Sequence, residues 1–153
     1  MTETVSRATV EAFYLAYTSG DPDRIGAVIH DDVEWHVTGP VDAIQVCGSW
    51  HGRAAVVDRF AQLVPRILSS RKLDIEHLLV DGDRSAMFGR MTTRHRPSGR
   101  VISHRASHIA RYRDGKVVYF RIVSDSFDAA EQFLGHRLNI GDRAPDSGDI
   151  VAL

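Results

Sequence analysis

The sequence has one cysteine, Cys47, in 153 residues, so no internal disulfide can form, and a reducing, cytoplasmic setting is expected. Lysine is almost missing: Lys72 and Lys116 stand alone, and arginine supplies the rest of the 19 basic groups. No apolar run approaches the roughly 20 residues that cross a bilayer, and "MTETVSRATV" lacks the basic-then-apolar layout of a signal peptide. There is no glycine-rich phosphate loop and no zinc spacing. "GSWHG" puts Ser49 in the wrong place for a nucleophile elbow. The basic segments lack the aromatic platform on which single-stranded nucleic acid stacks. A net charge of −1 gives no global pull toward nucleic acid or membrane. The expectation is therefore a domain with no cofactor, no metal, and neither a nucleic-acid nor a membrane partner.

What is present is an ordinary globular composition, 43% apolar and 25% charged, enough for one hydrophobic core. Histidine is abundant, at 8 residues. The charge is unevenly placed: Arg84 to Arg121 holds ten bases and one acid, Asp114, for +9, leaving −10 for the remainder. That asymmetry reads either as a basic sheet face covered by acidic elements or as a site for an anionic ligand.

Residues 4–18 show helical spacing, with Gly20 placed to end the helix. "SGDPD" starts a second short helix, with Asp21 as N-cap and Pro22 in its first turn, reaching Ile29. "VEWHV" alternates as a strand. "TGPVDAIQVCGSW" reads as loop, with a short strand around Ile44–Val46. A long helix is expected from Gly52 to Leu68, with Val56, Phe60, Leu63 and Ile67 as its buried stripe and Pro65 disturbing its last turn. Four strands follow, separated by "DGDR", "PSG" and "RDGK" turns, and a last helix runs from near Asp128 to Gly135. Helices first and a meander second predict an α+β domain over residues 1–135. It is a cone in which a curved antiparallel sheet wraps the N-terminal helices and the long helix. Residues 136–153 read as an extended or mobile tail.

His104 and His108, in "VISHRASHIARY", lie four residues apart on a strand. That spacing is about 13 Å, too far for one metal ion to bind both. They share a face with Ala106 and Ala110, while Arg105, Ser107, Ile109 and Arg111 take the other. A two-residue "SG" loop points Arg90, Thr92 and Arg94 outward with them. Each histidine reads either as a hydrogen-bonded core imidazole or as an acid–base group in a pocket. Phe13, Tyr17 and Trp35 read as core or as flat pocket walls. Cys47, with no base fixed beside it, reads as an inert thiol.

The runs "SGDPDRIGAVIHDDVEWHVTGP", "GSWHGRAAVVDRF", "VDGDRSAM" and "ARYRDGKVVYFRIVSD" resemble the SnoaL-like branch of the NTF2-like superfamily, over roughly residues 5 to 135. The resemblance implies a conical pocket and, often, a homodimer through the outer sheet face. In ketosteroid isomerases of this fold the catalytic tyrosine, base and acid correspond to Phe13, Val37 and His108, so only His108 keeps a usable group. Relatives of limonene epoxide hydrolase would need Trp35, Val37 and Ile122 to be tyrosine, asparagine and aspartate. Relatives of scytalone dehydratase match at Tyr17 and, in place of an amide, His108, but Thr18 replaces an aspartate. The Asp/His pair of SnoaL-type cyclases has Asp125 with His104 or His108 as its nearest counterparts. The resemblance thus implies a pocket lined by Phe13, Tyr17, Trp35, Val37, Ala106, Phe120 and Ile122, with His108, His104 and Asp125 as catalytic candidates. The ligand would be a small hydrophobic ring compound. The reaction would be a cofactor-free isomerisation, cyclisation or dehydration with histidine moving the proton, or else binding without chemistry.

Overall fold

The structure is a computed structural model and describes residues 4–139. Helix α1 (Arg7–Ser19) begins later than its apolar spacing suggests, because the Ser6 side chain accepts a hydrogen bond from the Thr9 amide and caps it. Val5 instead donates its amide to Gly82 O at 2.9 Å. Gly20, at φ 69°, closes α1 in the left-handed conformation that glycine reaches without strain. Asp21 caps α2 (Pro22–Val28), which ends one residue before the expected Ile29.

Strand β1 (Ile29–Val37) starts earlier than "VEWHV". Its partner β2 (Gly48–His51) takes the place of the strand expected at Ile44–Val46. Residues 44–47 form turns, with Ile44 N bonded to Pro40 O and Cys47 N to Ile44 O. Ile44, Val46 and Cys47 are buried there, so their apolar character reflects core contact and not strand pairing.

The long helix is interrupted. Helix α3 (Arg53–Asp58) passes through a π-helical turn (Arg59–Leu63) into α4 (Val64–Ile67). Pro65 has no amide hydrogen to offer the α-helical ladder, and the widened turn lies immediately before it. The widening moves the buried stripe by one residue: Val56, Phe60, Val64 and Ile67 are buried, and Leu63 is only half-buried. The π turn also turns Arg59 inward, where it is 6% exposed.

Strands β3 (Leu68–Asp81), β4 (Arg84–His95), β5 (Val101–Arg113) and β6 (Lys116–Ser124) form the meander, and α5 (Ser126–Leu134) follows. The six-stranded curved sheet has the order β2-β1-β6-β5-β4-β3. The sheet is mixed, contrary to the expected antiparallel one, since β1 and β6 run parallel. The β4–β5 loop also differs from expectation. His95 pairs Arg100 across a four-residue loop, so Arg90 faces Arg105 and Thr92 faces Ser103. This register is two residues away from that of a two-residue "SG" loop. Because side chains alternate with period two, the outward facing of Arg90, Thr92 and Arg94 is preserved.

The inner face of the sheet packs on α1 and on the α3–α4 segment. Val10, Phe13, Tyr14 and Tyr17 of α1 meet Trp35, Ile102, Ala110 and Phe120 in one core. Of the expected C-terminal tail, residues 136–139 are described: Leu138 donates its amide to Glu131 and packs on the core. The remainder, 140–153, lies outside the described residues. No described helix is long and apolar enough to cross a membrane.

Candidate functional site

Strand alternation decides which β5 side chains point inward. Ile102, Ala106, His108 and Ala110 are buried, and Arg105, Ile109 and Arg111 are exposed. His108 is 0% exposed. Its cross-strand neighbours are Met87 on β4 and Ile122 on β6, neither of which offers a hydrogen bond. Tyr14 stacks on the ring at 5.8 Å, while Tyr17 and Phe120 meet it edge-on at 5.6 and 5.1 Å. Both ring nitrogens are buried without a partner. Burial, helped by nearby His104, holds the imidazole pKa down at about 3, so the ring is neutral at physiological pH.

A cavity of about 70 Å³ opens in front of this ring. Its wall includes Tyr17, Val37, His104, Ala106, His108 and Ile122 from among the sequence candidates. Phe13, Trp35 and Phe120 do not line it. They pack behind His108, with Trp35 and Phe120 at 4.4 Å and Phe13 and Phe120 at 5.0 Å, because large flat rings gain most by burying both faces. Asp125 is not in the cavity either. It is exposed and caps α5, accepting from the Asp128 amide, so the expected Asp/His pair does not form. Of the lining residues, Val37, Leu68, Arg71, His104 and Ser124 are partly exposed.

Helix α5 covers the cavity with Ala129 and Phe133. Beyond the end of β6, the Ser103 backbone has no strand partner on that side. Gln132 fills the place, with its side-chain amide accepting from Ser103 N at 2.8 Å and donating to Ser103 O at 2.9 Å. Arg100 donates to the Gln132 and Phe133 carbonyls at the end of α5.

Sequence reasoning missed several lining groups. Thr93 is 5% exposed and its hydroxyl has no partner. Arg59 donates one hydrogen bond, to Val46 O at 2.8 Å, and stacks over Trp50 at 4.5 Å; its Nε is unpartnered. Burial lowers its pKa to about 10, which still leaves it charged at neutral pH. Arg71 on β3 lies over Phe60 and Tyr17 at 5.1 and 5.8 Å. Burial pushes the Tyr17 hydroxyl up and the Arg71 guanidinium down, and each charge partly offsets the effect on the other. The Cys47 thiol is raised by burial and so is a poor nucleophile. A charged residue on an apolar helical stripe was the signal available for Arg59. Among the described residues no carboxylate lines the cavity, and no group of three or more His, Cys, Asp or Glu could hold a metal.

A family model described as SnoaL-like domain matches residues 10–120. Among solved structures, a candidate isomerase from Rhodopseudomonas palustris shares 25% identity at a TM-score of 0.75, over 89% of this chain and 100% of the other. TerC, co-crystallised with polyporic acid, shares 24% identity at 0.71, over 83% of this chain and 96% of its own. An LEH-like epoxide hydrolase from M. tuberculosis shares 18% identity at 0.67, over 84% and 88%. No curated protein matches the sequence.

Proposed function

The chain belongs to the SnoaL-like domain family, within the NTF2-like fold, and from that premise we propose that the cavity binds a small, mostly apolar compound and moves a proton on it. The reaction class is a cofactor-independent isomerase or lyase, of cyclase or dehydratase type. The observation that carries this reading is the orphaned His108 imidazole on the wall of a largely apolar cavity. A buried polar group without a partner costs about 1–3 kcal/mol, and a carbonyl oxygen of a bound ligand would remove that cost.

With its pKa near 3, His108 is a weak base and does not start as a charged acid. Its neutral N–H suits donation to a carbonyl oxygen that gains negative charge as a neighbouring C–H loses its proton. His104, on the same strand face and in contact with solvent, is the base within the cavity wall that can take up that proton and exchange it with water. The small cavity volume favours a short-chain compound, or one ring edge inserted through the opening. The same resemblance supports a homodimer through the outer sheet face, where Phe88, Ile109 and Val123 are exposed.

A second reading, binding without turnover, is favoured by Val37 and by the lack of a lining carboxylate among the described residues, since no strong base of the related sites is found there. Deuterium incorporation next to the carbonyl of small ketones, aldehydes and oxo acids, followed by proton NMR in heavy water, separates the two. Catalysis predicts exchange above the buffer rate that falls by about 10²–10⁴-fold in His108→Leu while the fold is retained. No exchange with any compound, or exchange untouched by that substitution, leaves binding as the function.

A further inference from the structure

Several arginines of this molecule have a carboxylate partner, and others without one among the described residues, such as Arg24, Arg66 and Arg94, are exposed to solvent. Arg7, Arg53, Arg84, Arg105 and Arg113 each lie within 4.0 Å of a carboxylate, the closest being Arg53 with Asp31 at 2.6 Å and Arg105 with Glu76 at 2.8 Å. Arg59 and Arg71, on the cavity wall, have no such partner among the described residues, and no carboxylate influences the ionisation of either. Arg59 is also one of the four buried polar or charged residues of the described chain. A buried guanidinium is ordinarily paired, because removing a charge from water costs several kcal/mol and only an opposite charge with hydrogen bonds recovers it.

What does compensate them is incomplete. The Trp50 and Phe60 faces attract Arg59 by their quadrupoles but carry no net charge. Arg71 lies against Gly20, at the C-terminal end of α1, where the helix dipole supplies about half a negative charge. The two cations repel each other, and Arg71 further lowers the Arg59 pKa. Both approach the Phe60 ring centre to about 5 Å, which puts them within reach of one small ligand. The Thr93 hydroxyl is a further unpartnered donor on the same wall.

We infer that the ligand is a small organic acid in its ionised form, its anionic oxygen group held by Arg59 and Arg71 and its apolar body against Met91, Ile122 and Phe133. This rests on reading the cavity as the ligand site, and it names the class of compound: a carboxylate, or an acidic enol of the same charge, on a short apolar skeleton. Arginine suits such a group because its planar fork meets two oxygens at once.

The test is an NMR titration of the whole chain with isobutyrate and with isobutyramide, which share a shape and differ in charge. Isobutyrate is expected to bind at least about tenfold more tightly, with saturable shifts of the Thr93 and Ala106 amides, because a hydrogen bond between two charged groups is stronger than one to a neutral group. Arg71→Met is expected to erase most of that preference, weakening isobutyrate far more than isobutyramide. Arg59→Lys, which keeps the charge in case Arg59→Met does not fold, should retain only part of it. Equal affinity for the two probes, no saturable shift with isobutyrate, or a preference untouched by Arg71→Met overturns the inference. Retained acid binding with no deuterium exchange would defeat the proton-transfer reading alone, and exchange without acid selectivity would defeat this one alone.

Discussion

The inner face of the sheet has two unlike ends. At one, Phe13, Trp35 and Phe120 fill the space behind β1, β5 and β6 with rings at van der Waals contact, all of them 1% exposed or less. At the other, Arg59, Arg71, Thr93 and His104 surround a cavity, and the polar atoms there outnumber their partners. His108 stands on the boundary, with its ring against the first set and its nitrogens belonging to the second. The difference teaches how unequally polar groups are satisfied across one face. Close packing satisfies the aromatic end internally, whereas the cationic end keeps unpartnered polar atoms that, on the reading proposed above, a ligand would complete.

Removing a ring from the packed end should have the largest effect. Trp35→Ala is expected to cost about 3–5 kcal/mol, read as a lower midpoint in urea unfolding, because the indole is fully buried and the rings around it cannot all collapse into the gap. Acid should come next. The unfolded chain protonates His108 near pH 6.5, but the native state holds its pKa at about 3, so between those values the unfolded state binds more protons and stability falls as pH falls. The groups facing the ring are Tyr14 and Tyr17 from α1 and His104 on its own strand, with Arg59 and Arg71 across the cavity; no carboxylate among them offsets the effect. The expected loss is a few kcal/mol by pH 4, and it should be absent from His108→Leu when the two are compared by thermal unfolding over that range. Less is expected at the cover of the cavity. Gln132→Ala should cost about 1–2 kcal/mol and speed hydrogen exchange at Ser103, since two hydrogen bonds pin α5 there. The smallest change should come outside. Ile109→Arg is expected to shift the stability of one chain by less than about 0.5 kcal/mol. If the outer face joins two copies, the same substitution should halve the apparent mass by light scattering. An outer-face substitution as costly as Trp35→Ala would show that stability is not concentrated at the packed inner end.

Much of the fold could be read from local signals. Ser6 apart, the caps at Asp21 and Gly20 and the turns before β4 and β6 are chemistry of a few adjacent residues, and the alternation of β5 sorted inward from outward side chains. Where distant parts of the chain meet, the reading failed. Ile44–Val46 looked like a strand because burial and strand pairing favour the same residues, and β2 formed four residues later instead. The parallel β1–β6 pairing joins segments more than eighty residues apart, and no local pattern reports it. Asp125 looked catalytic by family analogy and is a helix cap. Phe13, Trp35 and Phe120 looked like pocket walls and became packed core. Arg59 went unremarked, since only the π turn and the closure of the cone reveal that it has been taken out of water without a carboxylate.

By itself the sequence determined most of the elements, their order, the inward face of β5 and the family, because each depends on residues close together along the chain. Only the tertiary structure decided which inward side chains touch one another and which face empty space, because that depends on how strands and helices converge from distant parts of the chain. The same imidazole, at the same strand position, would be an ordinary core residue had a partner been packed against either nitrogen.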